Sequence, residues 1–218
     1  MPLPKKFEKR VSGGLGLHAV WLPGDPVEIG DVLTRKDGIF RPIDNLSSFG
    51  VEPDLQEFPE QRSLNFQASG TRTTTFQGGA EINPSQIQAN ASASVEITFG
   101  AKESYFIRTP ELTGCEIENV RSITRVLSQH PEWRHGKFFV AWQLYTAKGF
   151  TFLGSQEKNS KIGFSGKGSA ILKFLRVGAT TGLTRTSTTA ITVDLAGKGG
   201  PIVMALLRTR RDGEVVFV

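Results

Sequence analysis

Residues 87–99 alternate between apolar and polar side chains without a break. The polar parity carries only Gln, Asn, Ser, Glu and Thr. Successive side chains of a strand point to opposite faces, so the pattern predicts one strand with an apolar and a polar face. At about 3.3 Å per residue such a strand would reach roughly 40 Å, longer than an ordinary strand. The apolar parity consists of Ile87, Ala89, Ala91, Ala93, Val95, Ile97 and Phe99.

Two kinds of protein contain alternating strands of this length. In membrane β-barrels a tilted strand of about 9 to 11 residues crosses the bilayer, with one face to lipid and the other to a water-filled lumen. A globular sheet with one solvated face is the alternative interpretation. Features elsewhere in the sequence are needed to distinguish the membrane barrel from the globular sheet.

The alternating strand belongs to the first of two hairpin-like blocks. Residues 63–76 continue the small and apolar parity and are expected to pair with residues 86–99 through a glycine-rich turn. A second block, residues 154–195, contains a glycine- and serine-rich segment and a long threonine-rich strand over 180–195. Between them residues 170–177 fit either a strand or a helix.

Hydrophobic spacing and breaker residues predict the remaining elements. The first part contains a basic helix over 4–11 that ends at the glycines 13, 14 and 16, short strands over 17–22, 27–33 and 38–46, and an exposed loop over 51–62. A helix over 116–129 and a core strand over 137–145 follow. After a turn at Lys148 and Gly149 come a strand over 150–153 and, later, a closing strand over 202–207.

Composition limits the class of protein. The chain has 218 residues and a single cysteine, Cys115, so an internal disulfide framework and a cysteine-based metal cluster are excluded. No apolar run approaches the 18 or more residues of a membrane-spanning helix, and the basic N-terminus lacks the apolar core of a signal peptide. We therefore expect a soluble cytoplasmic protein in the inactive state.

The net charge of +5 favours partners that carry phosphate groups. Charge alone does not separate nucleic acid from anionic lipid. The sequence contains no zinc-finger spacing, RNP-like motif or recognisable helix-turn-helix, so nucleic acid is not expected as a partner. The basic residues of the first predicted helix are Lys5, Lys6, Lys9 and Arg10.

No catalytic, cofactor-binding or metal site is predicted. His130 and His135 are separated by four residues, which is not the HExxH zinc spacing, and His18 lies far away in the sequence. Residues 163–169 contain glycine and lysine at the wrong spacing for a phosphate-binding loop. A nucleophile elbow of the G-x-S-x-G type is also absent. We therefore do not expect an enzyme.

The order of these elements resembles the gasdermin pore-forming domain, especially that of the short bacterial gasdermins. The basic helix is followed by strands with V-E-I-G-D-V-L and G-I-F-R-P-I-D-N-L and by the first hairpin block. An amphipathic helix, the strand K-F-F-V-A-W-Q-L-Y, the second block and an apolar strand complete the order. The resemblance covers nearly the whole chain and rests on order and pattern.

This resemblance implies an α+β fold, with a twisted, mostly antiparallel sheet and a few surrounding helices. It further implies an autoinhibited protein that, once released, forms homo-oligomers on anionic membrane lipid. Residues 63–100 and 154–195 would refold there into hairpins of a large β-barrel, with the apolar parity of residues 87–99 towards lipid. The implied outcome is cell death in anti-phage defence at the inner membrane, triggered by an activating protease or partner protein.

The chain departs from this family in two respects. Bacterial gasdermins carry a lipidated cysteine near the N-terminus, whereas Cys115 stands at the start of the predicted second helix and is expected to be a small buried residue. The pore-forming domain would occupy residues 1–207, which leaves only residues 208–218 as a tail.

We interpret this tail as an inhibitory plug. Arg210 and Arg211 form a trypsin-like cleavage target, and cutting there would release the domain. A final edge strand without a regulatory role is the alternative, and control by a partner protein is another. The apolar residues that would fill a groove are Val215, Val216, Phe217 and Val218.

Two other functions remain open at the level of sequence. A non-enzymatic β-rich module could use its basic face to bind an acidic partner or nucleic acid, and it would leave membranes intact. A structural protein that assembles into tubes through long hairpins would do so without lipid.

Overall fold

The computed structural model of the chain describes residues 1–60, 62–131, 133, 137–210 and 214–218. Within these residues the helices are α1 (Leu3–Leu15), α2 (Val120–Gln129) and α3 (Gly168–Val177). The strands are β1 (His18–Ala19), β2 (Asp31–Lys36), β3 (Ile39–Asn45), β4 (Leu55–Glu60), β5 (Asn65–Gln67), β6 (Thr71–Gln77), β7 (Ala80–Ile82), β8 (Ser92–Phe99), β9 (Ser104–Arg108), β10 (Leu112–Ile117), β11 (Phe138–Ser155), β12 (Ser160–Lys167), β13 (Leu183–Thr189), β14 (Val193–Thr209) and β15 (Val215–Phe217).

The chain divides into two units. Unit 1 comprises Met1–Leu3, Gln61–Glu111 and Ala147–Gly199, and unit 2 comprises Pro4–Glu60, Leu112–Thr146 and Gly200–Val218.

Unit 1 contains a five-stranded sheet in the order β13-β12-β8-β6-β7, which we call the hairpin sheet. Its paired strands are all antiparallel. Beside it in the same unit, β9 pairs with β5 and with the second half of β11. The core of unit 1 lies between the hairpin sheet and α3, where Ile97, Ile162 and Phe174 are fully buried.

Unit 2 is built on strands in the order β1-β14-β11-β10-β4, with β2 and β3 added to β11 and with β15 added to β14. Two clusters of apolar side chains form its core. One gathers around Leu33, Phe40 and Met204, and the other packs α2 through Ile123 and Leu127.

The expected fold class is confirmed: strands dominate, the pairings are antiparallel, and a few helices accompany them. None of the described helices is both long and apolar enough to cross a membrane.

Helix α1 does not end at the glycines as predicted. It continues through Gly13 and Gly14 to Leu15. Both glycines face open space, and the helix is held by Leu3, Phe7 and Val11, which are fully buried. Glycine costs a helix only about 1 kcal/mol relative to alanine, so this buried stripe outweighs the propensity.

The loop predicted over residues 51–62 contains strand β4, which pairs with β10. The prolines of this segment led to the prediction of a loop, which is wrong for residues 55–60. Pro59 is tolerated because β4 lies at the edge of its sheet, where one side of the strand needs no hydrogen-bonding partner.

The strand predicted over residues 17–22 is only β1 (His18–Ala19). The predicted second helix begins at Val120 rather than at residue 116, because residues 112–117 form β10 and pair on both sides. Cys115 therefore lies in a strand and not at a helix start. It is also half-buried rather than buried. The turn predicted at Lys148 and Gly149 is absent, because β11 runs through both residues.

The strands of the hairpin blocks are shorter than predicted, because turns or irregular segments interrupt them. The strand expected over 63–76 is divided into β5 and β6 by a turn at Gly70, whose φ is +83°. The strand expected over 180–195 is divided at Ala190, whose φ is 52°. Of the strand expected over 86–99, only Ser92–Phe99 is formed. The open choice for 170–177 is resolved as helix α3.

We expect Ile123→Ala to lower the free energy of unfolding by about 2–5 kcal/mol, because it removes buried methylene groups from a fully buried position on α2. Arg125→Ala on the exposed side of the same helix is the control, and its effect should stay within about 0.5 kcal/mol. Urea unfolding monitored by circular dichroism gives both values. Equal effects would mean that α2 does not pack as described.

Candidate functional site

The middle strand of the hairpin sheet carries the sharpest alternation. Ala93, Val95, Ile97 and Phe99 are buried, and the polar residues between them are only half-buried. The predicted two faces are therefore confirmed for β8.

The neighbouring strands continue both faces in register. On one side of β8, Phe164 stands opposite Val95 and Ile162 stands opposite Ile97. On the other side, Thr75 stands opposite Val95 and contributes a partly apolar side chain to the same face. Directly paired residues of an antiparallel sheet point to the same side, so one apolar face extends over the strands of both hairpin blocks.

Helix α3 covers this apolar face. Ile171 and Phe174 are fully buried on the sheet side of the helix. The Phe174 ring lies 4.9 Å from the ring of Phe164 and stacks at 5.9 Å on the ring of Phe106. Aromatic side chains in such contacts contribute several kcal/mol by burial and contact geometry. The packing of α3 therefore keeps the apolar face out of water.

The opposite face of the hairpin sheet is polar. Lys161 Nζ pairs with Glu96 Oε1 at 2.9 Å across β12 and β8. Arg72 pairs with Glu81 at 2.8 Å between β6 and β7. The Arg72–Glu81 pair is exposed and the Lys161–Glu96 pair is partly exposed, so they add little stability, but they are typical of a surface in contact with water.

The predicted membrane-inserting residues fall into two groups. Ala93 to Phe99 lie on the strand as expected. Ile87, Ala89 and Ala91 precede the strand in an irregular segment. Ile87 is buried in the same cluster as Val95, whereas Ala89 is exposed.

Helix α1 presents its predicted basic residues on its outer side. Lys9 and Arg10 are exposed, and Lys5 and Lys6 are half-buried. The alkyl stem of Lys5 lies against Gly38.

A buried carboxylate fixes α1, and the sequence analysis missed it. Glu8 is only 6% exposed. Its Oε1 lies 2.7 Å from His18 Nδ1, and its Oε2 accepts a hydrogen bond of 2.6 Å from the backbone N–H of Ala19. The available signal was an acidic residue beside the apolar stripe of an otherwise basic helix. The pair holds α1 against β1.

The tail forms an edge strand. β15 pairs with β14, and the Val218 N–H donates to the Leu206 carbonyl at 2.9 Å. Val215 and Val218 pack against the core clusters of unit 2, whereas Phe217 is 64% exposed. A pocket of about 540 Å³ lies beside Val215 and Phe217 and reaches to Arg121 on α2.

The predicted cleavage target lies at the start of this tail. Arg210 is exposed, its side chain pairs with Glu214 at 2.9 Å, and its backbone N–H donates to the Glu214 carbonyl at 2.7 Å. Arg211 lies outside the described residues.

The polar groups considered for catalysis are not brought together. His18 is paired with Glu8, and the His130 ring contacts Phe49 at 5.5 Å. His135 lies outside the described residues. In the part of the chain that the structure describes, no group of three or more His, Cys, Asp or Glu side chains is arranged to hold a metal ion.

The single thiol is poorly suited to nucleophilic chemistry. Burial raises the pKa of Cys115, and the negative charges of Glu57 and Glu116 raise it further. The thiolate fraction at neutral pH is therefore reduced.

Two solved structures are similar to this chain. One is the structure of a bacterial gasdermin from Bradyrhizobium tropiciagri, with 16% identity and a TM-score of 0.38, covering 95% of this chain and 88% of that one. The other is the Gasdermin A3 membrane pore, with 14% identity and a TM-score of 0.38, covering 100% of this chain and 95% of that one. Both are gasdermins, the family that the sequence resembles, and a likeness at this identity concerns the fold alone. No family model and no curated protein matches the sequence.

We expect Glu8→Gln to lower the free energy of unfolding by about 1–3 kcal/mol. The amide has only one acceptor atom, so it either leaves the Ala19 N–H without its partner or has to donate to the His18 ring, which loses the hydrogen bonds to a carboxylate. Glu28→Gln at an exposed position is the control. Thermal unfolding measures both, and an equal melting temperature for the two variants would contradict the role of Glu8.

Proposed function

We propose that this chain is a non-enzymatic pore-forming protein that assembles copies of itself on anionic membranes. The observation that carries the proposal is the two-faced hairpin sheet. Its apolar face extends through β6, β8 and β12, and helix α3 packs on it.

The strand lengths are close to those that a bilayer requires. β8 and β12 each have eight residues, or about 26 Å. A tilted membrane strand needs about 9 to 11 residues. If residues 89–91, which continue the alternation, joined β8, the strand would have eleven residues.

The two faces suit lipid and water. Ala93, Val95, Ile97 and their neighbours would face the acyl chains, whereas Glu96 and Lys161 would face a water-filled lumen. Backbone groups at an open sheet edge are not tolerated in hydrocarbon. Copies of the chain must therefore close a barrel together, which makes homo-oligomerisation part of the proposal.

Helix α3 has to leave the apolar face before that face can contact lipid. In water this displacement exposes Phe164, Phe174 and the strand residues beneath them, and it is unfavourable. When the apolar face is exposed to acyl chains instead of water, the loss of free energy is small. The membrane itself therefore favours the inserted state.

Helix α1 would bring the protein to anionic lipid. Basic residues near a charged membrane surface contribute about 1 kcal/mol each. The basic residues of this helix that would contact lipid headgroups are Lys5, Lys6, Lys9 and Arg10.

For the biological setting we propose cell death in anti-phage defence, as the family resemblance of the sequence implies. The protein would be cytoplasmic when inactive and would act at the inner membrane, after activation by a protease or a partner protein.

We expect Ala89→Lys to slow dye release from anionic vesicles by at least about tenfold, because a lysine on the lipid face of a barrel costs up to about 2–4 kcal/mol, depending on depth. Asn90→Lys is the matched control. Both residues are exposed in this structure, and they lie on opposite parities. Leakage is measured before and after limited proteolysis, with phosphatidylcholine vesicles as the neutral comparison.

Equal effects of the two lysines would contradict the assignment of faces. Absence of leakage in every condition, with tight binding to an acidic macromolecule, would favour the binding module. Assembly into tubes without lipid would favour the structural protein.

We propose in addition that residues 208–218 restrain the domain. β15 lies on the edge of β14, and Val215 packs against Leu207 and its neighbours. A cut after Arg210 or Arg211 would leave β15 attached only by noncovalent contacts. Separation of this short strand then has a small energetic cost.

Limited trypsin treatment should therefore activate leakage, and the double variant Arg210→Gln with Arg211→Gln should stay inactive under the same treatment. Mass spectrometry identifies the cut. A second variant, Val216→Asp, should leak without cleavage, because its charge weakens the half-buried edge strand. If the intact Val216→Asp protein remains inactive, the tail does not restrain the domain.

A further inference from the structure

The segment just before β8 has the sequence of a strand but not the conformation of one. Its alternation of apolar and polar residues is continuous with that of β8, yet the strand begins only at Ser92. Residues 87–91 instead run past the first turn of α3.

Backbone hydrogen bonds join this segment to the start of α3. The Gly168 N–H donates to the Ala91 carbonyl at 2.8 Å, and the Ser169 N–H donates to the Ala89 carbonyl at 2.9 Å. The first amides of a helix have no partner within the helix. The side chain of Lys167, at the N-cap position, makes no capping bond here. The carbonyls of the pre-strand segment therefore take the place of a cap.

The approach is close enough to require glycine at residue 168. A Cβ atom there would overlap the Gln88 carbonyl oxygen and lie 2.8 Å from Ile87 Cγ2. The obstacle is backbone, so a small side-chain rotation does not relieve it.

A side chain from β6 holds the same segment from another direction. Gln77 Nε2 donates to the Gln88 carbonyl at 3.1 Å, and the Gln88 N–H donates to Gln77 Oε1 at 3.0 Å. The segment is thus fixed between the end of β6 and the start of α3.

The register shows what the alternative conformation would be. Lys167 stands opposite Ser92 in the last pair of the β12–β8 ladder. One more step places Gly168 opposite Ala91, and two further steps place Ala170 opposite Ala89. These residues are small and lie on the apolar parity of both strands. Unwinding of the first turn of α3 would therefore lengthen β8 and β12 together, each from eight to about eleven residues.

We propose that Gly168, Ser169 and the carbonyls of Ala89 and Ala91 form a latch that couples the two hairpin blocks, so that neither segment is released without the other. The inference rests on the proposed function for its consequence. The Ser169–Ala89 bond is out of step with the lengthened register, which pairs Ala89 with Ala170. Residues 87–91 therefore cannot fully extend β8 while that bond is made, and α3 loses this part of its cap when it breaks. Lengthening of the strands and departure of α3 from the apolar face are then one event.

Hydrogen exchange of the intact chain without lipid tests the latch. Gly168→Ala should accelerate exchange of the amides at residues 168–169 and at 87–91 together, by at least about tenfold. Gly149→Ala is the control in the same unit, because its added Cβ meets only the Lys198 carbonyl oxygen, at 4.0 Å. Faster exchange in one segment alone, or no change in either, overturns the latch.

A second variant covers the case in which Gly168→Ala loosens the whole sheet. Gln77→Ala removes two hydrogen bonds to Gln88, and neither of these bonds involves an atom of α3. The latch predicts faster exchange at Gly168 and Ser169 in this variant as well. Faster exchange at Gln88 with unchanged exchange at those two residues overturns the coupling.

Vesicle leakage of the same variants separates the latch from the proposed function. The latch predicts that Gly168→Ala leaks faster than Gly149→Ala after the same activation. Coupled exchange without any leakage overturns the proposed pore and supports the latch as a property of the fold. Leakage together with uncoupled exchange overturns the latch and supports the proposed pore.

Discussion

The packing of α3 against the apolar face of the hairpin sheet is the interaction on which the structure of unit 1 depends. An antiparallel sheet with strict alternation has one apolar face that is unfavourable in water. In unit 1 that face packs with Ile171 and Phe174 of α3 in a cluster that also includes Phe106 and Leu153. Helix α3 itself has only ten residues. This packing keeps a continuous apolar face out of water, and the proposed function requires the same packing to give way in contact with lipid.

The alternation of β8 was predictable because it is local. One-sided burial imposes a period of two on the sequence, and residues 93–99 obey it in the structure. The same reasoning failed for residues 87–91, where partners distant in the sequence decide the conformation. The amides of Gly168 and Ser169 take up the Ala91 and Ala89 carbonyls. Such competition between a local pattern and a tertiary contact leaves no trace in periodicity.

Other features could not be predicted from the sequence, because they too depend on contacts between distant residues. The segment 170–177 is apolar in both helical and strand phase, so only its packing on Phe106 and Phe164 decides for the helix. Glu8 and His18 lie on different elements, and their pairing depends on how α1 lies on β1. Pro59 in β4 favoured the prediction of a loop, although an edge strand accepts a proline.

The most direct test of the two-faced sheet is the environment of a fluorescent probe on each parity in the membrane-bound state. In a Cys115→Ser background, Ala89→Cys and Asn90→Cys place a nitrobenzoxadiazole label on adjacent exposed residues. On anionic vesicles we expect lipid-attached spin labels to quench the label at residue 89 and aqueous iodide to quench the label at residue 90. The same quenching at both residues would contradict the account.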